Sequence, residues 1–213
     1  MEQKNILKTG TTTVGIVCKD GIVLAADKRA TAGHLIASKR AKKVEEITDN
    51  IAVTMAGTVS DAQLLIRLVQ AESRLKSMRT GQEPFVKETA NLMARMVYNN
   101  IRKMSMIPGI AHFLMGGKDR DGLFVYEIFA DGSIQKIDDF ISSGSGSVMA
   151  YGVLESQYTK DITVENGIKM AVTCINAAIQ RDSASGNGID VVTITADGMK
   201  RVIDHDLKTK IEV

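Results

Sequence analysis

The stretch Gly10-Thr11-Thr12-Thr13-Val14-Gly15-Ile16-Val17 decides how the chain begins its fold. Threonine, valine and isoleucine favour a pleated, half-buried backbone, so the stretch predicts a strand that directly follows a short polar leader. Cutting the bond between Gly10 and Thr11 would give Thr11 a free α-amine beside its own hydroxyl. Such an amine has a pKa of about 7.7–8.0 and is one known activator of a threonine nucleophile. Three threonines that simply open a strand would look the same, and the stretch alone leaves both interpretations open.

Length and charge limit the classes of protein to which the chain can belong. Its 213 residues suit one domain with a sizeable core, and 27 basic against 25 acidic residues argue against a nucleic-acid binder. No apolar run reaches membrane-spanning length, and the first ten residues lack the apolar segment of a secretory signal. We therefore expect a cytoplasmic protein with neither nucleic acid nor a membrane as a partner.

The cysteines and histidines give no metal signal. Cys18 and Cys174 are far apart and lack ligand spacing, which is typical of buried hydrophobic residues in a reducing compartment. His34, His112 and His205 are scattered without a second ligand nearby, so a structural or solvent-facing role is predicted for each. We expect no metal and no organic cofactor.

Short strands and tight turns alternate from residue 12 onward. Strands are predicted over residues 12–18 and 21–27, and the Asp20-Gly21 pair between them is a hairpin signal. The same Asp-Gly pair recurs at 121–122, 131–132 and 197–198, each time between apolar or β-branched runs. Further strands are predicted over residues 43–48, 51–56, 110–115, 123–130, 133–137, 189–195 and 199–203.

Four segments have the period of a helix instead. Ser60 and Gln63 resemble a capping box for the first helix, and Gly81 ends it. The second helix follows Pro84, and two more are predicted over residues 145–160 and 164–180. Apolar residues recur at helical spacing in three of them: Leu64, Leu68, Ala71, Leu75 and Met78 in the first; Val86, Ala90, Met93, Val97, Ile101 and Met104 in the second; Ile168, Ala171, Val172, Ile175 and Ile179 in the fourth.

The order of strands, two helices, strands, two helices and strands indicates the fold class. Hairpin-linked strands make antiparallel sheets, and clustered helix pairs need a face to cover. We predict an α+β fold, a four-layer αββα sandwich of two stacked antiparallel sheets flanked by helix pairs. The stack would bury each helix stripe, although the stripe from Leu64 to Met78 also suits an interface. No linker or repeat divides the chain, so one domain is expected.

Three residues are candidates for the charges and donors that a threonine nucleophile needs. Asp27 closes the second predicted strand and Lys43 opens the third, so strand pairing can bring both to Thr11. There the lysine would favour release of the hydroxyl proton and the aspartate would orient it. A routine surface ion pair is the competing interpretation. Gly57, between a strand and a helix, can present its N–H to negative charge, but a plain strand-to-helix turn looks the same.

Two further segments are rich in small polar residues. Residues 142–147 read Ser-Ser-Gly-Ser-Gly-Ser and lack the lysine of a P-loop, so they suit a polar site wall better than a phosphate cradle. Residues 181–186 read Arg-Asp-Ser-Ala-Ser-Gly, where Asp182 and Ser185 can share a hydrogen-bond network. An ordinary helix C-cap at Gly186 is the alternative.

Six short motifs with fitting spacings resemble the proteasome β subunit, of the archaeal kind, over the whole chain from Thr11 onward. The resemblance implies an N-terminal nucleophile hydrolase fold, in agreement with the predicted sandwich. Asn187 departs from the family, which usually has a second glycine after Ser-Gly. The motifs are Gly-Thr-Thr-Thr-Val-Gly at 10–15, Ala-Asp-Lys-Arg-Ala-Thr at 26–31, Lys-Lys-Val at 42–44, Met-Ala-Gly at 55–57, Gly-Ser-Gly-Ser at 144–147 with Ala-Tyr-Gly-Val-Leu-Glu at 150–155, and Arg-Asp-Ser-Ala-Ser-Gly at 181–186.

Residue by residue, the resemblance implies an active site at the start of a shortened chain. Residues 1–10 would be a leader removed by cleavage between Gly10 and Thr11, and residues 11–213 would form one catalytic domain. Thr11 would be the nucleophile and, through its freed amine, the base, while the Gly57 N–H would fill the oxyanion hole. The other implied catalytic residues are Asp27 and Lys43 as the charged pair, with Ser145, Asp182 and Ser185 around the amine.

The implied substrate positions predict specificity. Thr31 would pair its backbone with an extended peptide, and Ala30, Met55 and Val59 would line the primary pocket. These apolar side chains predict cleavage after hydrophobic residues, and Glu45 at the pocket rim leaves room for some basic residues.

The resemblance also implies an activity and an assembly. The chain would be a proteolytic subunit of a 20S proteasome core, a threonine-type endopeptidase that cleaves unfolded polypeptides without a cofactor. Its partners would be other β subunits and α subunits in stacked seven-membered rings (α7β7β7α7), with an ATPase unfoldase bound through the α rings. The alternatives are a non-catalytic β subunit of the same ring and a sibling hydrolase that acts on small amides.

Overall fold

Strands and helices alternate in blocks over the residues that the computed structural model describes, which are 10–106 and 108–207. Strands come first, then two helices, further strands, two helices and a last strand pair. The bounds are β1 Thr13–Cys18, β2 Gly21–Asp27, β3 Ala30–Ala32, β4 Leu35–Ser38, β5 Val44–Thr48, β6 Ile51–Gly57, α1 Val59–Thr80, α2 Val86–Ile101, β7 Ala111–Asp119, β8 Gly122–Ile128, β9 Ile134–Ile137, β10 Phe140–Ser143, α3 Ser147–Gln157, α4 Val164–Arg181, β11 Gly188–Thr195 and β12 Gly198–Asp206.

Two five-stranded antiparallel sheets form the middle of the molecule. One has the strand order β10-β1-β2-β11-β12 and the other β5-β6-β7-β8-β9, with β3 and β4 as a separate hairpin. The Asp-Gly turns close hairpins as predicted, with Cys18 opposite Gly21 and Asp119 opposite Gly122. This confirms the antiparallel pairing expected from the sequence.

Three apolar layers hold the stack together. α1 and α2 cover the outer face of the β5–β9 sheet over a layer that includes Phe113. α3 and α4 cover the other sheet over a layer that includes Ile175. Leu24 and Leu114 meet between the two sheets. The α+β class and the four-layer αββα sandwich are therefore confirmed.

The cysteines lie inside these layers as expected. Burial raises the pKa of the Cys18 thiol, with Asp20 adding to the effect, and burial also raises that of Cys174, in each case to about 12. Both thiols are therefore protonated and unreactive at neutral pH. Among the described helices, none combines the length and the apolar character needed to cross a membrane.

The prediction of which face of α1 packs on the sheet is wrong. The face that packs on the sheet includes Leu65 and Val69, which are buried. The predicted stripe points outward instead, because the helix has two apolar stripes and periodicity does not tell which one meets the sheet. The exposed stripe, here called the α1 outer stripe, consists of Leu64, Leu68, Ala71, Leu75 and Met78.

Several element ends also differ from the predictions. α1 begins at Val59 after Thr58, so Ser60 is not its N-cap and the capping box is wrong. α2 ends at Ile101, which leaves Met104 outside the helix and fully exposed. α3 begins only at Ser147. The strands β3, β4 and β10 were not predicted, because three or four residues are too few to establish a period.

Candidate functional site

Thr11 lies just before β1 and is held on both sides. Its side chain is buried, and its Oγ1 donates a hydrogen bond of 2.7 Å to the carbonyl oxygen of Gly10. Its backbone N–H donates to Ser145 Oγ at 3.2 Å. Gly144, at φ +95°, lies so close that a Cβ there would collide with the Thr11 carbonyl. The hydroxyl is therefore fixed next to the peptide bond that links it to the leader.

Asp27 is the centre of the polar contacts behind Thr11. It ends β2, and its carboxylate is fully buried. Oδ1 accepts from the Thr12 N–H at 2.9 Å and from Lys43 Nζ at 2.7 Å. Oδ2 accepts from the backbone N–H groups of Arg29 and Gly186, each at 2.9 Å. Four donors thus hold one carboxylate in a single orientation, as a buried charge requires.

Lys43 enters the site from the start of β5. Its carbonyl accepts from the Met55 N–H at 3.0 Å, which anchors it beside β6. Its side chain is 5% exposed. Burial lowers the pKa of Lys43, and the contact with Asp27 opposes that effect without cancelling it. A lysine with a lowered pKa that lines the same cavity as a hydroxyl is a candidate for proton transfer.

Ser145, Asp182 and Ser185 form the network that the sequence predicted around the Thr11 nitrogen. Asp182 Oδ2 accepts from both serine hydroxyls, each at 2.6 Å. Ser145 Oγ is the atom that accepts from the Thr11 N–H. Ser185 Oγ is also 2.7 Å from Thr12 Oγ1, a contact that the sequence analysis missed. The network places one carboxylate two hydrogen bonds away from the nitrogen of Thr11.

A cavity of about 290 Å³ opens in front of these groups. Thr11, Lys43 and Gly57 all line it, so the predicted nucleophile, cation and oxyanion donor face one space. Gly57 has φ +105°, and a Cβ there would collide with the Ile110 carbonyl, so the sharp turn at the end of β6 needs glycine. The other lining residues include the predicted pocket residues Ala30, Met55 and Val59, together with Thr31.

Thr31 makes an additional contact, and Glu45 lies away from the cavity. The Oγ1 of Thr31 accepts from the Gly10 N–H at 3.2 Å, so its side chain holds the end of the leader, and the pairing of its backbone with a substrate stays a prediction. Glu45 is not among the residues that line the cavity. Its carboxylate instead contacts Lys42 Nζ at 3.0 Å, and Lys42 and Arg40 do line the space. The charged side of the cavity is therefore basic.

Two backbone donors and one residue cluster were missed by the sequence analysis. The N–H groups of Arg29 and Gly186 complete the shell of Asp27, and no side-chain pattern marks backbone donors. Ser143, His112 and Glu127 form a polar line between the sheets, although they are distant in the sequence. Within the described residues, no group of His, Cys, Asp and Glu is arranged to hold a metal ion.

Comparisons with known proteins agree over nearly the whole chain. Residues 7–194 match the family model described as Proteasome subunit. A protein named proteasome subunit beta from Ferroglobus placidus is 47% identical over 203 residues, which cover 95% of each chain. One of the same name from Archaeoglobus profundus is 50% identical over 89% of this chain and 86% of its own. A third, from Methanosarcina mazei, is 46% identical over 99% and 98%.

Proposed function

The chain belongs to the proteasome subunit family, and from that premise we propose that it is a catalytic β subunit whose nucleophile is Thr11. The proposal depends on one observation above all. The Ser145–Asp182 network holds the Thr11 nitrogen, the buried Asp27–Lys43 pair holds the N–H of the next residue, Thr12, and Thr11 and Lys43 line one open cavity. A subunit that only shapes a chamber would not need this arrangement. We place its action in the cytoplasm, on unfolded polypeptides.

We propose that the chain removes its own leader, residues 1–10. Thr11 Oγ attacks the Gly10 carbonyl carbon, the C–N bond breaks, and the Gly10 acyl group moves onto the oxygen while the nitrogen takes up the proton. Water then hydrolyses the ester, which releases the leader as a carboxylate. The 2.7 Å contact between the hydroxyl and the Gly10 oxygen supports this step, as does the lack of a side chain on Gly10.

Peptide cleavage then follows the same chemistry. The free amine of Thr11 accepts the proton from its own hydroxyl, helped by the Lys43 cation, and the oxygen attacks the substrate carbonyl. The Gly57 N–H donates to the developing oxyanion. The protonated amine gives its proton to the leaving amine, which leaves an acyl ester on Thr11, and water releases the product acid. No step needs a cofactor.

Replacing Thr11 tests both reactions at once. In rings assembled with α subunits, Thr11→Ala is expected to keep residues 1–10 and to lose hydrolysis of fluorogenic peptides. Thr11→Ser keeps a hydroxyl and is the matched control, which should still be processed. Intact mass of the β subunit reads processing directly. If Thr11→Ala still lost the leader in the absence of wild-type subunits, self-cleavage would be wrong. An unprocessed, inactive wild type would favour the non-catalytic alternative.

We propose that cleavage follows hydrophobic residues. Ala30, Met55 and Val59 give the cavity apolar walls, which favour an apolar side chain by burial. Lys42 and Arg40 line the cavity and would repel a basic substrate residue, so such a residue should be the least favoured. This differs from the expectation that Glu45 leaves room for basic residues. A panel of peptides with leucine, glutamate or arginine before the cleaved bond should rank in that order of kcat/KM. Cleavage of small amides with no peptide activity would favour the sibling hydrolase.

We further propose assembly into α7β7β7α7 rings fed by an ATPase unfoldase. The α1 outer stripe supports an assembly, because Leu64 and Met78 are 45% and 77% exposed on the single chain. Light scattering of the chain with α subunits should give a particle many times the mass of one subunit. Replacing Leu68 by Asp should reduce its yield, whereas Lys87→Asp on α2 should not. A monomer at working concentration would contradict the proposal.

A further inference from the structure

Three polar side chains from three strands form a line between the two sheets. Ser143 Oγ, at the end of β10, lies 2.7 Å from His112 Nδ1 on β7. His112 Nε2 lies 3.0 Å from Glu127 Oε1 on β8. That carboxylate is off the N–H direction, so the contact is electrostatic and lacks aligned hydrogen-bond geometry. The imidazole also stacks on Phe129, with ring centres 5.3 Å apart, which fixes its plane.

The line has the composition of a serine–histidine–acid triad but not its accessibility. Ser143 is 4% exposed and Glu127 is 5% exposed. A substrate carbonyl therefore cannot approach the Ser143 hydroxyl, and the line cannot act as a second nucleophilic site. Three polar groups are instead kept in an apolar layer, which costs free energy where a hydrogen bond is incomplete, as at His112 Nε2.

The serine end of the line supports the nucleophile. Ser143 pairs with Thr13 across the β10–β1 edge, and its carbonyl accepts from Thr13 Oγ1 at 3.4 Å. The next residue is Gly144, whose backbone packs directly on the Thr11 carbonyl. Gly146 N–H donates to the same carbonyl at 3.3 Å. A shift of Ser143 would therefore move the wall against which Thr11 rests.

The histidine in the middle of the line lies near the proposed oxyanion donor. His112 is opposite Ala56 in the β6–β7 pairing, and the next pair along is Gly57 with Ala111. The Thr58 N–H donates to the Ile110 carbonyl at 2.7 Å, which ties the turn after Gly57 to the start of β7. Ser143 and His112 thus belong to different sheets. Ser143 precedes the glycine that packs on Thr11, and His112 is one residue pair away from Gly57.

We propose that His112 is a positioning residue that sets the distance between the nucleophile and the oxyanion donor. The inference rests on the proposed function of Thr11 and Gly57. The Glu127 oxygen beside Nε2 favours a proton on that nitrogen, which leaves Nδ1 to accept from the Ser143 hydroxyl. The Asp27–Lys43 pair joins the two sheets behind Thr11, and the apolar contacts between the sheets do not fix a direction. The directional contact through Ser143 does.

Three substitutions at one position separate the contacts. Asn places a polar atom where Nδ1 lies and can keep the contact with Ser143. Gln places its amide nearer to Nε2 and can keep only the contact with Glu127. Phe keeps the ring and its stacking on Phe129 but loses both polar contacts. Each variant is measured in the assembled rings for processing, thermal unfolding, and kcat and KM on one fluorogenic peptide.

The expected pattern is a loss in kcat that follows the Ser143 contact. For His112→Phe we expect kcat to fall about 10-fold with KM within about twofold of wild type, because a small misplacement of reacting groups lowers the chemical step rather than binding. His112→Asn should recover most of kcat, and His112→Gln should not. A Ser143→Ala variant should match His112→Phe.

Other results would overturn the inference. An unchanged kcat in His112→Phe would do so, as would losses in all three variants that simply follow their loss of thermal stability. These outcomes require an active wild type, so they are distinct from failure of the proposed function. If wild type and Thr11→Ser were both inactive, the proposed function would have failed and the role of His112 would fail with it.

Discussion

Two ion pairs start from neighbouring residues and have opposite environments. Asp27 turns inward to Lys43, and both side chains are at most 5% exposed. Lys28, the next residue, turns to the edge strand β12, where it contacts Asp204 and lies 2.7 Å from Asp206 Oδ1. Those two carboxylates are 60% and 38% exposed. The backbone thus directs one pair towards the nucleophile and the other towards solvent.

The difference appears in the two lysines. Burial lowers the pKa of Lys43 even though Asp27 raises it. Burial also acts to lower the pKa of Lys28, but its bonds to Asp204 and Asp206 outweigh that effect, so the pKa is raised. Next to water, the carboxylates raise the pKa of Lys28, whereas in the buried pair the loss of hydration outweighs the carboxylate and lowers the pKa of Lys43. We call Asp27–Lys43 the inner pair and the contacts of Lys28 with Asp204 and Asp206 the outer pair. The inner pair is suited to catalysis, whereas the outer pair links β12 to the end of β2.

The largest predicted effect comes from removing the inner carboxylate. Asp27→Asn leaves the Lys43 cation buried without its counterion, which we expect to lower the free energy of unfolding by about 3–5 kcal/mol. Peptide hydrolysis should fall by at least about 10³-fold, because the lysine also loses its orientation. Denaturant unfolding and kcat/KM give the two measurements.

Asp204→Asn is the matched control in the outer pair. Its carboxylate is mostly exposed, so the change should stay below about 1 kcal/mol and leave hydrolysis near wild type. Equal effects of the two substitutions on stability and rate would mean that burial does not distinguish the pairs.

A second prediction compares the two lysines. Lys43→Met leaves Asp27 with three backbone donors, those of Thr12, Arg29 and Gly186. We therefore expect a loss of about 1–3 kcal/mol in stability, smaller than that for Asp27→Asn, together with a loss of hydrolysis of about 10²-fold or more. Lys28→Met should leave the rate within about twofold of wild type. If Lys43→Met kept full activity, Lys43 would have no part in activating the hydroxyl.

The fold was largely predictable because its signals are local. Asp-Gly turns such as Asp20-Gly21 lie between β-branched runs, and their physics is contained in a few residues. The direction of α1 was not predictable, because both Leu64 and Leu65 belong to apolar stripes and only the sheet selects one. The sequence of a helix shows the period of an apolar stripe, but the surface on which the stripe packs is formed by residues far away in the chain.

The site divides in the same way. Thr11, Asp27 and Lys43 were predicted from short motifs. The structure pairs Asp27 with Lys43 and places Thr11 and Lys43 on one cavity. The contact between Ser143 and His112 joins residues 31 positions apart on different sheets, so no spacing reveals it. Its presence depends on how the sheets stack.

A third prediction tests the opposite pKa shifts through stability. Lys28 has a folded pKa raised above 10.5, so its contribution is complete below that pH and is lost as pH rises through the folded pKa. Lys43 has a folded pKa below 10.5. Between that folded pKa and 10.5 the unfolded chain binds more protons than the folded chain, so the contribution of Lys43 to stability rises with pH over this range. Unfolding midpoints from about pH 9 to about pH 11 should show a shallower alkaline decline in Lys28→Met and a steeper one in Lys43→Met. Parallel curves would contradict the assignment.

The smallest predicted effect concerns Asn187. Its side chain contacts Arg29, the residue that follows Asp27 and Lys28 in the chain. Asn187 adopts φ +66°, a left-handed conformation that favours glycine, and its Oδ1 accepts from Arg29 Nε at 2.8 Å. Asn187→Gly relieves the backbone but removes a hydrogen bond to a charged group, and we expect these terms to nearly offset each other, with a net loss of about 1 kcal/mol or less. Arg29 keeps its bond to the Ser183 carbonyl at 2.7 Å, and its N–H stays on Asp27, so hydrolysis should fall no more than about twofold.

Asn187→Ala is the control, because it loses the bond and keeps the strain, and it should be less stable than Asn187→Gly. If Asn187→Gly instead lowered kcat as strongly as Lys43→Met, the contact between Asn187 and Arg29 would contribute to catalysis together with the inner pair. Arg29 would then have to be grouped with Asp27 rather than with Lys28.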